Sequence, residues 1–197
     1  VTVYDYKSKK NTFKTSNGKQ KLTNSYKTNV YDYKKIKYNQ NQLIPSMGSN
    51  PDDGFKIGIN NTFTVYGFER NPFTQQHTLK ASYYNATNGF DINYSAEFAN
   101  VFKKWNFLVE TRFTSPNYSI NNYGFGNETI NLEDNLGTNY HRVKISTIVA
   151  KPTFKWIGRS GAEIKLGTLF ESLEVENTTG RYINSIPNYI EERKNYA

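Results

Sequence analysis

From Phe90 to Phe98 the chain alternates without interruption, with Phe90, Ile92, Tyr94, Ala96 and Phe98 in one phase and Asp91, Asn93, Ser95 and Glu97 in the other. Successive side chains on a strand point to opposite faces, so this stretch writes one apolar and one polar face. A second strand repeats the pattern: Trp105, Phe107, Val109, Thr111 and Phe113 stand against Lys104, Asn106, Glu110 and Arg112. Leu108 is its one apolar residue on the polar side. Such strands either cover a soluble core or line a membrane barrel.

The same period recurs along the chain. Phe55, Ile57, Ile59, Phe63 and Val65 oppose Lys56, Asn60, Thr62 and Thr64, and Leu79, Ala81 and Tyr83 oppose Thr78, Lys80 and Ser82. Further on, Val143, Ile145, Thr147 and Val149 oppose Arg142, Lys144 and Ser146, and Ile164, Leu166 and Phe170 oppose Glu163, Lys165 and Glu171. Pro152 marks a bulge or an edge between these last two. Asn88-Gly89 and residues 158–161 read as tight turns. No segment carries a helical period, and the chain is expected to be all-β, an antiparallel meander of about six strands.

Composition narrows the environments. Only 36% of the 197 residues are hydrophobic, yet 16 Tyr and 13 Phe raise the aromatic share to 16%. Mean hydropathy is -0.76. Aromatic richness argues against disorder, because disordered chains lack the apolar surface to offset ordering. No apolar run approaches the ~20 residues of a spanning helix, so any bilayer crossing must use strands. The absence of cysteine excludes disulfides and thiolate metal sites.

The net charge of +8 is concentrated at one end of the chain. Residues 1–40 hold ten Lys against Asp5 and Asp32, whereas residues 41–197 are balanced. This arm reads as a basic extended linker, with a short strand at Val1–Tyr6, a hairpin turn at Asn17-Gly18 and an extended stretch from Leu22 to Tyr33. Residues 41–53, with Pro45, Gly48, Pro51 and the Pro-Asp-Asp-Gly turn, read as a turn-rich boundary. Residues 54–197 then form the strand-built part.

Strand length separates the two architectures. A ten-residue strand rises ~33 Å, and a tilt of ~40° reduces this to the ~25 Å apolar band of an outer-membrane barrel. Aromatics stand near strand ends at Tyr66, Phe68, Phe90, Phe98, Phe102, Trp105 and Phe113, where interfacial girdles are required. The polar phase would form a lumen wall of Lys56, Lys80, Asp91, Asn93, Glu97, Lys104, Glu110, Arg112, Arg142, Lys144, Glu163 and Lys165. In that architecture the lipid-facing set is Phe55, Ile57, Ile59, Phe63, Leu79, Phe90, Ile92, Tyr94, Phe98, Trp105, Phe107, Val109, Phe113, Val143, Ile145, Ile164 and Leu166.

From the Pro-Asp-Asp-Gly entry at 51–54 with its strand start Phe55-Lys56-Ile57-Gly58, through Asn71-Pro72-Phe73 and Lys104-Trp105, to Phe125-Gly126-Asn127-Glu128-Thr129, the chain resembles the bacterial surface antigen superfamily of outer-membrane β-barrels, the BamA and TamA relatives. The basic arm with Tyr31-Asp32-Tyr33 looks like the segment that precedes such a barrel in members carrying an upstream calcineurin-like metallophosphoesterase domain. The resemblance implies the N-terminal part of an incomplete barrel in the outer membrane of a Gram-negative bacterium. It implies a non-enzymatic role in membrane assembly, translocation or surface display, with lipid and a periplasmic or translocated protein as partners. In that frame the stretch Ser115–Asn139 falls on the short-turn side, unless a crossing within Tyr118–Tyr123 has been overlooked.

No catalytic, metal or cofactor site is expected. Gly124-Phe125-Gly126 lacks the third glycine of a phosphate loop, since Thr129 stands there. His77 and His141 are far apart in sequence, with no carboxylates at ligand spacing. Asp52-Asp53 and Glu133-Asp134 are loop carboxylates suited to turn formation. Two other classes fit parts of the sequence. A soluble lipocalin-like barrel would turn the apolar faces inward around an apolar ligand. A nucleic-acid binder would use the lysine arm with Tyr31, Tyr33 and Tyr38, but no nucleic acid is expected.

Overall fold

The computed structural model describes residues 2–10, 12–14, 17–24, 29, 37–50, 54–67, 73–102, 104–124, 126, 130–158, 161–176 and 178–186. The Pro51-Asp52-Asp53 entry, Asn71-Pro72, Phe125, Asn127-Glu128-Thr129 and Tyr31-Asp32-Tyr33 lie outside them.

The all-β reading holds. Among the described residues there are eleven strands: β1 (Thr2–Asp5), β2 (Lys19–Leu22), β3 (Gln40–Asn50), β4 (Gly54–Val65), β5 (Gln75–Tyr84), β6 (Gly89–Phe102), β7 (Trp105–Thr114), β8 (Ser119–Asn121), β9 (Arg142–Ile157), β10 (Glu163–Gly167) and β11 (Phe170–Val175). Nine of them make one antiparallel sheet in the order β3-β4-β5-β6-β7-β9-β10, with β8 and β11 also paired to β9. The sheet is open, bounded by β3 at one edge and by β10 and β11 at the other. A single α-helical turn, α1 (Glu133–Leu136), lies between β8 and β9.

Three local expectations are corrected. Asn17-Gly18 does not make a hairpin: β1 and β2 run parallel, Thr2 opposite Lys19 and Asp5 opposite Leu22. The supposed boundary at 41–53 is largely strand, because β3 pairs with β4 along its whole length, Gln40 opposite Thr64 and Asn50 opposite Gly54. Pro45 is tolerated there because β3 is an edge strand, where one row of N–H groups has no ladder to join. Tyr118–Tyr123 holds no crossing, since β8 lies antiparallel to β9, as β7 does, and extends the line of β7 beyond a turn. That turn is closed by the Tyr118 N–H donating to the Ser115 carbonyl at 2.9 Å.

Pro152 sits inside β9, not at its edge. Thr168 N–H donates to the Pro152 carbonyl at 3.1 Å, but the reciprocal bond has no donor, so the ladder breaks between β10 and β11. The register is unchanged across the gap, with Gly167 opposite Thr153 and Phe170 opposite Ala150. The two short strands are therefore one long strand interrupted by a missing proline N–H.

The turn expected at Asn88-Gly89 is a four-residue loop, 85–88, with Gly89 already in β6 opposite Tyr84. Asn88 takes a positive φ of 52°, and its side-chain oxygen accepts from the Tyr83 hydroxyl at 2.7 Å. Hydrophobic burial is slight among the described residues. Among the described residues the one cluster of buried hydrophobic side chains is Val143, Ile145 and Ile183, flanked by Tyr118 and Val175. It lies where β9 begins, under the segments after β7 and β11.

Candidate functional site: an exposed apolar face backed by a paired polar face

Residues directly opposite each other on antiparallel strands share a face, so the registers assemble the strand patterns into two surfaces. One row runs Pro45, Ile59, Ala81, Ile92, Phe113 and Ile148 across β3, β4, β5, β6, β7 and β9. Another runs Phe98, Phe107, Phe154 and Leu166 across β6, β7, β9 and β10. Leu43, Met47, Phe55, Ile57, Phe63, Leu79, Phe90 and Ile164 complete this apolar surface, and all of them are exposed. Tyr94, Val109 and Trp105 belong to it and are partly covered by their neighbours.

Aromatic rings bridge strands on this face. Phe107 and Phe154 lie 5.0 Å apart by ring centroid, Tyr83 and Phe90 also 5.0 Å, and His77 makes an edge contact with Phe98 at 5.4 Å. His77 is polar, but its Nδ1 is 2.8 Å from the Tyr94 hydroxyl, so the face does not leave it unsatisfied.

The opposite face is polar and less exposed. Thr64, Thr114, Thr147, Thr153 and Asn106 are buried there, while large apolar residues on the other face stand open. Its charges pair across strands. Arg112 on β7 grips Asp91 on β6 through Nε and one terminal nitrogen, each at 3.1 Å, and Asn93 donates to the same carboxylate at 2.9 Å. Lys155 on β9 reaches Glu97 on β6, and Asn106 on the intervening β7 donates to that carboxylate at 2.7 Å. Lys151 on β9 meets Glu110 on β7, while Lys165 meets Glu163 within β10 itself, both at 3.1 Å in more open surroundings. Lys56 lies 5.5 Å over the Tyr84 ring, and Lys80 stands in a row between Asn60 and Asn93.

The expected site residues fall into these surfaces with few exceptions. Lys104 is in the turn before β7, not on the polar face. Val143 and Ile145 do not join the exposed apolar face: they are 5% and 8% exposed, in the parity of Thr147 and Lys151, against Ile183. Arg142 and Lys144 are correspondingly in the other parity, where Arg142 donates to Asn139 and Lys144 to Asn117. The apolar phase of β9 switches between Ile145 and Ile148, because the strand's first half serves a local core and its second half the sheet face.

The sequence reading missed Lys151 and Lys155, the partners of Glu110 and Glu97. The signal was present as Ala150, Pro152, Phe154 and Trp156 alternating with Lys151, Thr153 and Lys155. Ending the strand near Pro152 hid it. A half-open cavity of about 340 Å³ lies on the polar face at the ladder break, lined by Leu108, Glu110, Lys151 and Leu169 among others. Leu108, the apolar exception of β7, is part of that lining.

Comparison of the chain with protein-family models, with curated proteins and with solved structures found no match. Function must therefore be argued from these surfaces. Among the described residues no helix is long and apolar enough to cross a membrane, which leaves strand crossings open.

The segments beyond β7 and β11 form a cap on the sheet end. His141 is 1% exposed, with Tyr123, Tyr140 and Tyr182 packed within 4.8–5.3 Å of its ring centroid. Leu132 N–H donates to Nε2 at 3.1 Å, so Nε2 is the bare nitrogen and Nδ1 carries the proton given to the Asn122 carbonyl at 3.2 Å. Arg181 donates to the Asn139 carbonyl. Burial pushes its guanidinium below the usual range, and repulsion from Arg142 adds to this.

Proposed function

We propose that this chain forms part of the wall of an outer-membrane β-barrel, with its apolar face toward lipid and its polar face toward a hydrated lumen. The observation that carries this is the inverted burial of the sheet: Ile57, Ile148 and Phe154 stand open while Thr114, Asn106 and Thr147 are covered. A soluble sheet hides its apolar face, because exposed apolar area costs about 25 cal/mol per Å². A bilayer reverses that preference. Six strands, β3 to β7 and β9, have 10 to 16 residues, the length such a wall needs. An inward-facing apolar cavity of the lipocalin kind is disfavoured by the same burial pattern.

The additional strand β3 also changes the side assignments. Counting from β3, the β7–β9 connection leaves and returns at the sheet end where β3 finishes and β4 begins, and β3 starts at the other. Long connections belong outside and short turns on the periplasmic side, so 115–141 is read as an extracellular loop and the start of β3 as periplasmic. The resemblance to surface antigen barrels suggests a non-enzymatic role in assembly, translocation or display at the outer membrane.

The test uses neighbouring residues of opposite phase. Ile92→Arg should cost ~2–4 kcal/mol of stability in a bilayer, and Asn93→Arg far less. Refolding into lipid vesicles, followed by heat-modifiable mobility on gels and resistance to alkaline extraction, reads both. Equal tolerance of the two, or a wild-type chain that stays soluble without detergent, rejects the assignment.

A further inference from the structure

His141, the residue before β9, is buried, and both of its ring nitrogens meet backbone groups of fixed role. The Leu132 N–H can only donate and the Asn122 carbonyl can only accept, so together they select one form of the ring: bare at Nε2, protonated at Nδ1 and neutral. The bond to Nε2 tethers a turn. Leu132 heads α1, its carbonyl accepting from the N–H groups of Asn135 and Leu136 at 3.1 and 2.9 Å. A second tether runs from the Tyr123 hydroxyl to the Glu133 carboxylate at 3.0 Å.

The surroundings of the ring do not welcome a positive charge. Tyr123 and Tyr140 pack on it from the segments after β8 and before β9, and Tyr182 from the 3-10 turn Tyr182–Ser185. Arg142 follows it in the chain, and Arg181 stands beside Tyr182. From α1, Glu133 is already engaged by the Tyr123 hydroxyl and the Asn131 amide, and Asp134 is exposed. A cation buried here would lack a dedicated counter-charge among the described residues, and such burial is costly.

We infer that His141 is an acid-sensitive latch: a proton on Nε2 replaces the acceptor of the Leu132 N–H with a second donor, and the turn 132–136 is released. Contacts on the other side of the ring survive. Nδ1 still donates to the Asn122 carbonyl, and two backbone bonds do not involve the ring at all, Asn122 N–H to the His141 carbonyl at 2.8 Å and Tyr182 N–H to the Tyr140 carbonyl at 2.9 Å. The sheet therefore keeps its register while one loop opens. The closed turn requires the neutral ring and the open turn accepts either form, so closure is complete at neutral to basic pH and weakens as pH falls. The latch operates whether or not the sheet borders lipid.

The full chain is prepared in detergent micelles, or in buffer alone if it is soluble there, and hydrogen exchange of residues 130–136 is followed at pH values about one unit or more to either side of the ~6.5 of a free imidazole, with intrinsic rates divided out. Protection should fall about tenfold or more on the acid side, the scale of one buried hydrogen bond lost, while β6 and β7 stay protected. His141→Gln sets an amide oxygen near the place of Nε2 and does not titrate, so its turn should stay protected at both pH values. His77→Gln, which removes the only other histidine, should leave the wild-type response intact. Equal protection of the wild type at both pH values overturns the latch, and so does an acid loss that persists in His141→Gln. Where His141→Gln does not fold, the imidazole nitrogen resonances of the wild type decide. The Nδ1-protonated neutral ring should give way to the doubly protonated one in step with the rise in exchange, and a ring whose protonation does not track that rise overturns the latch.

Discussion

Lys155 on β9 and Glu97 on β6 form an ion pair across the intervening strand β7, with their charged groups 2.5 Å apart and side chains 14% and 22% exposed. Asn106 of β7 completes the bridge by donating to the Glu97 carboxylate. Three successive long strands are thus joined by side chains as well as by their backbone ladders. The Glu110–Lys151 pair has the same chemistry but side chains about half exposed.

These two pairs should differ in energy. A largely buried pair that loses one partner leaves the other desolvated, whereas the partner left by an open pair is hydrated by water. A double-mutant cycle on Glu97→Gln and Lys155→Met should give a coupling above about 1 kcal/mol, and Glu110→Gln with Lys151→Met below about 0.5 kcal/mol. Denaturant unfolding from vesicles measures both, and equal couplings would show that the polar face is uniformly hydrated.

The switch of phase in β9 gives a second expectation. Val143→Ala removes packing against Ile183 and should cost about 1–3 kcal/mol in detergent and bilayer alike. Ile148→Arg should cost ~2–4 kcal/mol in a bilayer, since Ile148 is 58% exposed on the apolar face. Parallel unfolding titrations in the two media distinguish a protein core from a lipid contact. A silent Val143→Ala would mean that the cap does not pack as described.

The ladder break at Pro152 is repairable. Pro152→Val supplies the missing N–H opposite Thr168, and stability should rise by about 0.5–1.5 kcal/mol, with a slowly exchanging amide at that position. Gly167→Val should act in the opposite direction. A Cβ there would stand 2.5 Å from Thr153 Oγ1 and 2.6 Å from the Pro152 carbonyl oxygen, an overlap worth about 1–3 kcal/mol. Hydrogen exchange and unfolding of the two variants check the pair of signs, and a destabilised Pro152→Val would place the break elsewhere.

How much could be read beforehand follows from the range of each interaction. β4 through β7 and the turn at Asn88 were legible, because alternation and positive-φ turn chemistry are properties of adjacent residues. β3 was not, because Pro45 and Gly48 look like turn residues until an edge position accounts for the proline. The partners of Glu97 and Glu110 were hidden for a related reason: a proline ends most strands, and only the neighbouring strands reveal that Pro152 interrupts this one on a single side.

By itself, the sequence determined that these segments are strands with one apolar and one polar face, since period-two alternation dictates where successive side chains point. Tertiary structure decided which residues share a surface and which surface stays open. Those choices depend on register between distant strands, which joins Ile92 to Phe113 and Ile148 on the open face yet places Val143 and Ile145, in the same strand as Ile148, beneath Ile183.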